Sequence, residues 1–116
     1  MDSSVCIRAF LSADGTYHLL LPTSAESCAD KLCDAAAQVL CCDSASIAVV
    51  LEDFSQAAEE DTVRTACREL REQMMDAAAR LLGCAQADLL FERQGVRLLW
   101  TGQVVTPRMV AHTLGG

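Results

Sequence analysis

The side chains of this sequence that could do chemistry are mainly thiols. The chain of 116 residues contains seven cysteines and only two histidines, His18 and His112. The number of cysteines is odd and none of them forms a Cys-x-x-Cys pair. Such spacing predicts neither a disulfide framework nor a zinc site, so no metal ligands are predicted.

Most of the cysteines fit a packing role. Cys33, Cys41 and Cys67 fall within apolar helical patterns. A reduced cysteine in such a pattern packs as a small hydrophobe. A thiol function is left open for Cys28 and for the adjacent pair Cys41-Cys42.

The histidines and carboxylates form no catalytic pattern. His18 is predicted to lie in a strand and His112 near the end of the last helix, where proximity to a Ser or Cys side chain would arise by chance. The run Glu59-Glu60-Asp61 is predicted at a helix N-terminus, where negative charge is favourable. The sequence therefore predicts no catalytic residue.

Composition and charge exclude several classes of partner. An apolar content of 52% suffices for one continuous core and predicts a single domain over residues 1–116. A net charge of −7, with nine scattered Lys and Arg, argues against nucleic acid and against an anionic membrane surface. Because no segment approaches the roughly 20 apolar residues of a membrane span and no targeting pattern opens the chain, we expect a cytoplasmic protein.

The first half of the chain predicts a hairpin, a helix and a buried strand. Two apolar runs, 5–11 and 16–21, flank Asp14-Gly15, a pair that accepts positive φ and favours a β-hairpin. Thr23 and Glu26 fit a capping box at the start of a helix over residues 24–41. The short β-branched run 46–51 predicts the third strand.

The second half predicts a long helix and a second strand pair. Apolar residues recur at three- and four-residue steps between 61 and 82, which is typical of an amphipathic helix, and Gly83 ends it. Residues 88–93 and 96–100 predict two strands, and 103–105 a short third one. Thr106-Pro107 is typical of the start of a final helix. The predicted fold is α+β, in the order ββαβαββ(β)α.

The sequence also contains an internal repeat. The stretch from Asp34 to Ile47 recurs from Asp76 to Leu89, 42 residues further along (76 minus 34). This similarity predicts two helix-turn-strand units of the same local structure. Since each helix has one apolar stripe, we expect both helices to pack on one face of a mixed sheet.

Several of these motifs resemble the large subunit of molybdenum hydroxylases, the family of xanthine dehydrogenase and aldehyde oxidase. The second half carries a helix that ends in Leu82-Gly83, a strand that leads to Gly95-Val96, and a Thr-capped short helix up to His112. The first half adds Asp14-Gly15-Thr16 at the hairpin and the run 36–40 before a turn and strand. The resemblance covers residues 5 to 112 and implies a fragment of the molybdopterin-binding domain.

The chain departs from this family where the cofactor would be held. Family members place a glycine-rich loop between the second strand and the first helix, so that backbone amides approach the pterin and its phosphate. The corresponding segment here, 21–29, has no glycine, and Glu26 and Asp30 place negative charge near the helix N-terminus. The weak candidates for cofactor contacts are Thr23, Ser24 and Ser27.

A second family loop, rich in Ser, Thr and Gly, corresponds here to the shorter acidic segment 52–61. The family's catalytic glutamate lies in a part of the subunit that has no counterpart in this chain. The resemblance thus implies no catalytic residue and, for the isolated chain, no cofactor; molybdopterin enters only by family association.

Three functions follow as hypotheses. The first is a non-catalytic, cofactor-free relative that acts as a binding or assembly module. The second is a component of a working molybdenum hydroxylase whose active site is completed by other segments. The third is a ubiquitin-like carrier, because the chain ends in Gly115-Gly116, although the long second helix and the repeat are not needed for that fold.

The partner is predicted to be a second copy or a molybdenum hydroxylase subunit. A domain separated from a larger subunit should expose surface that the rest of that subunit would cover. Leu19, Leu21, Leu98 and Trp100 are the predicted contacts, on the expectation that the sheet has two apolar faces and helices for only one of them.

Overall fold

The computed structural model describes residues 7–53 and 59–115. Within these ranges the protein is α+β, and the predicted element order is confirmed. The elements are β1 (Arg8–Leu11), β2 (Tyr17–Pro22), α1 (Ala29–Leu40), β3 (Ile47–Glu52), α2 (Glu60–Leu82), β4 (Leu89–Glu92), β5 (Gly95–Leu98), β6 (Val104–Val105) and α3 (Pro107–Gly115).

The strands form two separate three-stranded sheets, so the prediction of one mixed sheet was wrong. The first sheet has the order β1-β2-β3, with β1 antiparallel and β3 parallel to the central β2. The second has the order β4-β5-β6 and is antiparallel throughout. Strand β4 pairs with β5 across a two-residue turn and does not pair with β3.

The two long helices pack against each other and against the inward faces of the sheets. Helix α1 contacts β2 and β3, whereas α2 contacts β1 and also β4 and β5. Both helices contribute to the same apolar core, which includes the fully buried Val63 and Met74 of α2. Helix α2 therefore joins the two sheets into one hydrophobic core.

The first hairpin forms where the sequence predicts it. Gly15 has a φ of +88°, and its amide donates a hydrogen bond to the Ser12 carbonyl at 2.9 Å. The Asp14 carboxylate accepts hydrogen bonds from the Ser12 hydroxyl and from the Thr16 amide. These hydrogen bonds lower the pKa of Asp14 to about 2, so the turn is held by a carboxylate that is ionised over the whole physiological pH range.

The predicted capping box was wrong. Residues Thr23–Cys28 form a 3-10 helix with no side-chain cap, and α1 begins only at Ala29. Pro22 and Ala25 are buried, which ties the start of this segment to the end of β2. The predicted helix over residues 24–41 is thus a 3-10 segment followed by a shorter α-helix.

The internal repeat is confirmed in the local structure. Each helix ends at a residue in the left-handed conformation, Cys41 with φ 54° and Gly83 with φ 66°. The amide of the following residue donates a hydrogen bond to a carbonyl of the helix. The distance is 3.1 Å from the Cys42 amide to the Ala37 carbonyl and 3.0 Å from the Cys84 amide to the Ala79 carbonyl. A 3-10 turn follows in both units, at Ser44–Ser46 and at Gln86–Asp88, and leads into β3 and β4. The prediction that Cys41 packs within a helix was wrong, since Cys41 is the exposed residue that caps the end of α1.

The last helix begins as predicted. The Thr106 hydroxyl accepts a hydrogen bond from the Met109 amide at 3.3 Å, and Pro107 occupies the first helical position. The strand predicted over 96–100 ends earlier, at Leu98, where the chain turns through Gly102, whose amide bonds the Leu98 carbonyl at 2.8 Å.

Three of the four predicted contact residues are buried within the chain. Leu19 and Leu21 are fully inaccessible and Leu98 is 5% exposed. All three point to the inward faces of the sheets and belong to the core, so their prediction as an exposed apolar surface was wrong. Only Trp100 is exposed, at 69%.

Candidate functional site

The segment between β2 and α1 is the position where the resemblance places a cofactor loop. Thr23, Ser24 and Ser27, the weak candidates for cofactor contacts, are all exposed on its 3-10 helix. Their hydroxyls make no hydrogen bond with the rest of the described chain. Their role in binding stays a prediction.

The backbone of this segment does not fit an anion. The first amide of α1, that of Ala29, donates to the Glu26 carbonyl and is therefore not free to face a phosphate. None of the described residues between Tyr17 and Leu40 has a positive φ, so the segment contains no left-handed residue of the kind that forms an anion-binding loop in glycine-rich sequences. The exposed carboxylates of Glu26 and Asp30 add negative charge there. These residues do not fit a phosphate-bearing cofactor.

Six cysteines lie in the described ranges and all of them are free thiols. Cys33 and Cys67 are buried, which confirms their predicted packing role. Burial raises the pKa of the Cys67 thiol to about 12 and that of Cys42 to about 11, and it also raises the pKa of Cys33. Because the thiolate is the nucleophile, burial makes these three thiols less reactive than an exposed cysteine.

Of the three cysteines left open for a thiol function, Cys42 is half-buried and its pKa is raised, and Cys28 and Cys41 make no hydrogen bond to a His, Asp or Glu side chain within 7–53 and 59–115. Cys28 donates a weak hydrogen bond to the Ala25 carbonyl at 3.5 Å, and Cys41 is an exposed helix cap. Within the same ranges no group of three or more His, Cys, Asp and Glu side chains could hold a metal ion. No helix among the described residues is long and apolar enough to cross a membrane.

Beside the thiols lies a buried polar atom that the sequence did not indicate. The hydroxyl of Tyr17 is inaccessible and has no hydrogen-bond partner in the described part of the chain. Burial, reinforced by the nearby Cys42 and Cys41 thiols, raises the pKa of Tyr17. The phenol is therefore neutral and packs as part of the core.

The histidines lie where they were predicted, and neither one forms a catalytic dyad with a Ser or Cys side chain of the described residues. His18, on β2, stacks on Phe10 of β1 with 5.1 Å between ring centroids and 8° between the ring planes. His112 is exposed on α3. The predicted acidic helix start is confirmed, because Glu60 and Asp61 lie in the first turn of α2 and both pair with Arg64.

The second sheet has an outer face without a covering helix in the described structure. Leu90, Arg97 and Val104 lie opposite one another across β4, β5 and β6, while their strand neighbours point into the core. Leu90 is 47% exposed, and the turn after β5 adds Leu99 at 56% and Trp100 at 69%. We call residues 90, 97 and 104, together with the exposed residues 99 and 100 of the adjoining turn, the outer face of the second sheet.

The sequence indicated only Trp100 of this surface. The run Leu89-Leu90 and the run Leu98-Leu99 each contain one buried and one exposed leucine, and composition does not tell them apart. The strand register does, because it places Leu89 opposite Leu98 on the inward side. On the outer side, Arg97 pairs with Glu92 at 2.8 Å, so the charge in this face is neutralised within the chain.

Comparison with known proteins supports the resemblance at the level of fold. The chain superposes on quinoline 2-oxidoreductase from Pseudomonas putida 86 with a TM-score of 0.60 and 18% identity, over 92% of this chain. It also superposes on the Cu,Mo-CO dehydrogenase in its carbon monoxide reduced state, with a TM-score of 0.66 and 12% identity, over 90% of this chain. No protein-family profile and no curated protein matches the sequence.

These similarities define the chain as a domain with the fold of one segment of large oxidoreductases. It spans about 15% of the length of each of the two solved structures. The C-terminal Gly115-Gly116 gives no further indication, since α3 extends through Gly115 and Gly116 lies outside the described residues. The ubiquitin-like alternative stays untested.

Proposed function

We propose that the chain is a non-catalytic relative of a molybdenum hydroxylase segment that holds no cofactor of its own and acts as a binding or assembly module. The observation that carries the proposal is the outer face of the second sheet. The fold neighbours are several times longer than this chain, and a segment of a longer chain commonly buries an apolar face of this kind against the rest of it. Here a second copy or another subunit takes that place.

The chemistry of the outer face agrees with a protein partner. Trp100 is a residue type that commonly anchors protein interfaces, and the exposed leucines add apolar area. Arg97, the cationic side chain of the outer face, already forms an ion pair with Glu92. Burying this face under a partner therefore desolvates no isolated charge.

A component of a working enzyme remains the second candidate, favoured by a likeness in fold to oxidoreductases that extends over nine tenths of the chain. In that case the cofactor would be held by other segments. Co-expression with a molybdenum hydroxylase that lacks the corresponding segment, followed by purification and assay, separates the two candidates. Restored activity supports the enzyme component.

The first prediction concerns the cofactor. Protein purified from a host that makes molybdopterin is expected to contain far less than one molybdenum per chain, because the amide at the start of α1 is bonded to Glu26 and no glycine opens the preceding segment. Elemental analysis and fluorescence of the oxidised pterin measure this. An intact molybdenum hydroxylase from the same host is the positive control, and stoichiometric molybdenum in the chain itself contradicts the proposal.

The second prediction concerns the outer face. Trp100→Ala is expected to weaken self-association or subunit binding about tenfold or more, since truncating an aromatic hot-spot residue costs about 2 kcal/mol or more, about 30-fold at full effect. The free energy of unfolding of the monomer should change by about 0.5 kcal/mol or less, because the side chain is exposed. Light scattering across a dilution series measures association of the purified chain.

Met109→Ala is the matched control, since Met109 is also exposed, at 47%, but lies on α3 and not on the outer face of the second sheet. It should leave association unchanged. A monomeric mass at every concentration, together with no complex on co-expression with a hydroxylase, would rule out the outer face as an interface.

A further inference from the structure

Strand β3 forms an open edge of the first sheet. In the described structure it pairs only with β2, and its first five residues, Ile47 to Leu51, include no charge, no proline and no glycine. Natural proteins usually protect such an edge with a charged residue, a proline or a bulge, because its free N–H and C=O groups pair readily with another strand. The β3 edge lacks this protection before Glu52.

A groove runs beside this edge, between β3 and α1. It has a volume of about 420 Å³ and is lined by Asp30, Cys33, Asp34, Ser44, Ala45, Ile47 and Val49. Val49 belongs to the inward face of the sheet, like Leu19, which lies opposite it on β2. Leu19 is fully buried, whereas Val49 is 37% exposed. Helix α1 thus leaves room over the edge for the inward-facing side chain of one more strand.

The groove is acidic. Asp30 and Asp34 lie one turn apart on α1, both are exposed, and neither has a cationic partner within residues 7–53 and 59–115. Their negative potential reaches the groove wall, since burial and then these two carboxylates raise the pKa of Cys33. A cationic side chain in the groove would be attracted and a carboxylate repelled.

We propose that the β3 edge is a docking site for an extended segment of another protein that adds to the first sheet as a fourth strand and places a Lys or Arg side chain in the groove. The aliphatic stem of that side chain would cover Val49, and its charged end would lie between Asp30 and Asp34. This site is separate from the outer face of the second sheet and does not depend on the function proposed above.

A second copy of the chain is not the occupant that the charges favour. Strand β3 contains no basic residue, and antiparallel pairing of two such strands would place the Glu52 of each copy near the Ile47 end of the other, beside its acidic groove. The chain as a whole carries a net charge of −7, which adds to this repulsion. The groove thus favours a basic segment, and the net negative charge of this chain favours a different protein over a second copy.

The test uses two labelled, capped hexapeptides that alternate Val with Lys or Val with Glu. Fluorescence anisotropy is expected to show binding of the Lys peptide about tenfold or more tighter than that of the Glu peptide. Hydrogen exchange should show slower exchange of amides in Ile47–Glu52 when the Lys peptide is present. Equal binding of the two peptides, or protection confined to other strands, overturns the proposal.

A second test changes the charge of the groove in the protein and keeps the Lys peptide unchanged. Asp30→Asn combined with Asp34→Asn is expected to weaken the Lys peptide roughly 3- to 10-fold while leaving the fold intact, because both side chains are exposed. Glu72→Gln, an exposed acid on α2, is the matched control and should have no effect. Unchanged binding in the double variant overturns the role of the groove, and concentration-dependent protection of β3 without peptide would assign the edge to a second copy instead.

Discussion

Gly95→Ala is expected to lower the free energy of unfolding by about 3 kcal/mol or more, a large part of the stability of a small domain. Gly95 has a φ of +137°, where side chains other than hydrogen are strained. A Cβ atom at this position would also lie 2.2 Å from the Val105 carbonyl oxygen and 3.0 Å from the Thr106 Cα, both of them backbone atoms that cannot rotate away. Chemical denaturation followed by circular dichroism measures the loss.

Gly102→Ala is the matched control for this change. Gly102 also has a positive φ, +75°, but a Cβ atom there would meet no heavy atom within 4 Å. It should cost only about 1 kcal/mol, the cost of the left-handed conformation alone. If both variants lose the same amount of stability, the close approach of β6 and the start of α3 to Gly95 does not contribute to the loss.

Leu19→Ala is expected to lower the free energy of unfolding by about 3 to 5 kcal/mol. Leu19 lies in the central strand of the first sheet, is fully buried, and packs in the core that both long helices share. Removing its side chain leaves a cavity that the two helices cannot close without shifting. Urea denaturation of both proteins at the same concentration measures the difference.

Val49→Ala provides the comparison across the same strand pair. Val49 lies opposite Leu19 but is 37% exposed at the open edge, so the change should cost about 1 kcal/mol or less. A small loss for Leu19→Ala would contradict the position of Leu19 in the core and would favour its earlier prediction as a surface residue.

The local elements were largely readable from the sequence. The Asp14-Gly15 turn, the helix that ends at Gly83 and the Thr106 cap depend on neighbouring residues, and each forms where it was predicted. The capping box at Thr23 failed because tertiary contacts compete with a local signal there. Pro22 and Ala25 are buried against the core, and this holds the segment in a 3-10 helix.

The candidate surfaces were only partly readable. Trp100 stands in a turn signalled by Thr101-Gly102, and its exposure follows from that turn. Leu98 and Leu99 are adjacent and chemically alike, and only the pairing of β4 with β5 places one in the core and the other outside. The groove beside β3 escaped prediction because it depends on how far α1 extends over the sheet.

The sequence by itself determined the α+β class, the order of the elements and the two helix-turn-strand units, because periodicity, turn residues and caps act between residues close along the chain. It also excluded a glycine loop before α1, since that depends on composition alone. Only the tertiary structure decided that the strands divide into two sheets, that Leu19 and Leu21 face the helices, and that β3 has no second neighbouring strand among the described residues. These features depend on which strands pair with each other. Strand pairing is set by competition between contacts that are distant in the sequence, and a local sequence pattern carries little information about such contacts.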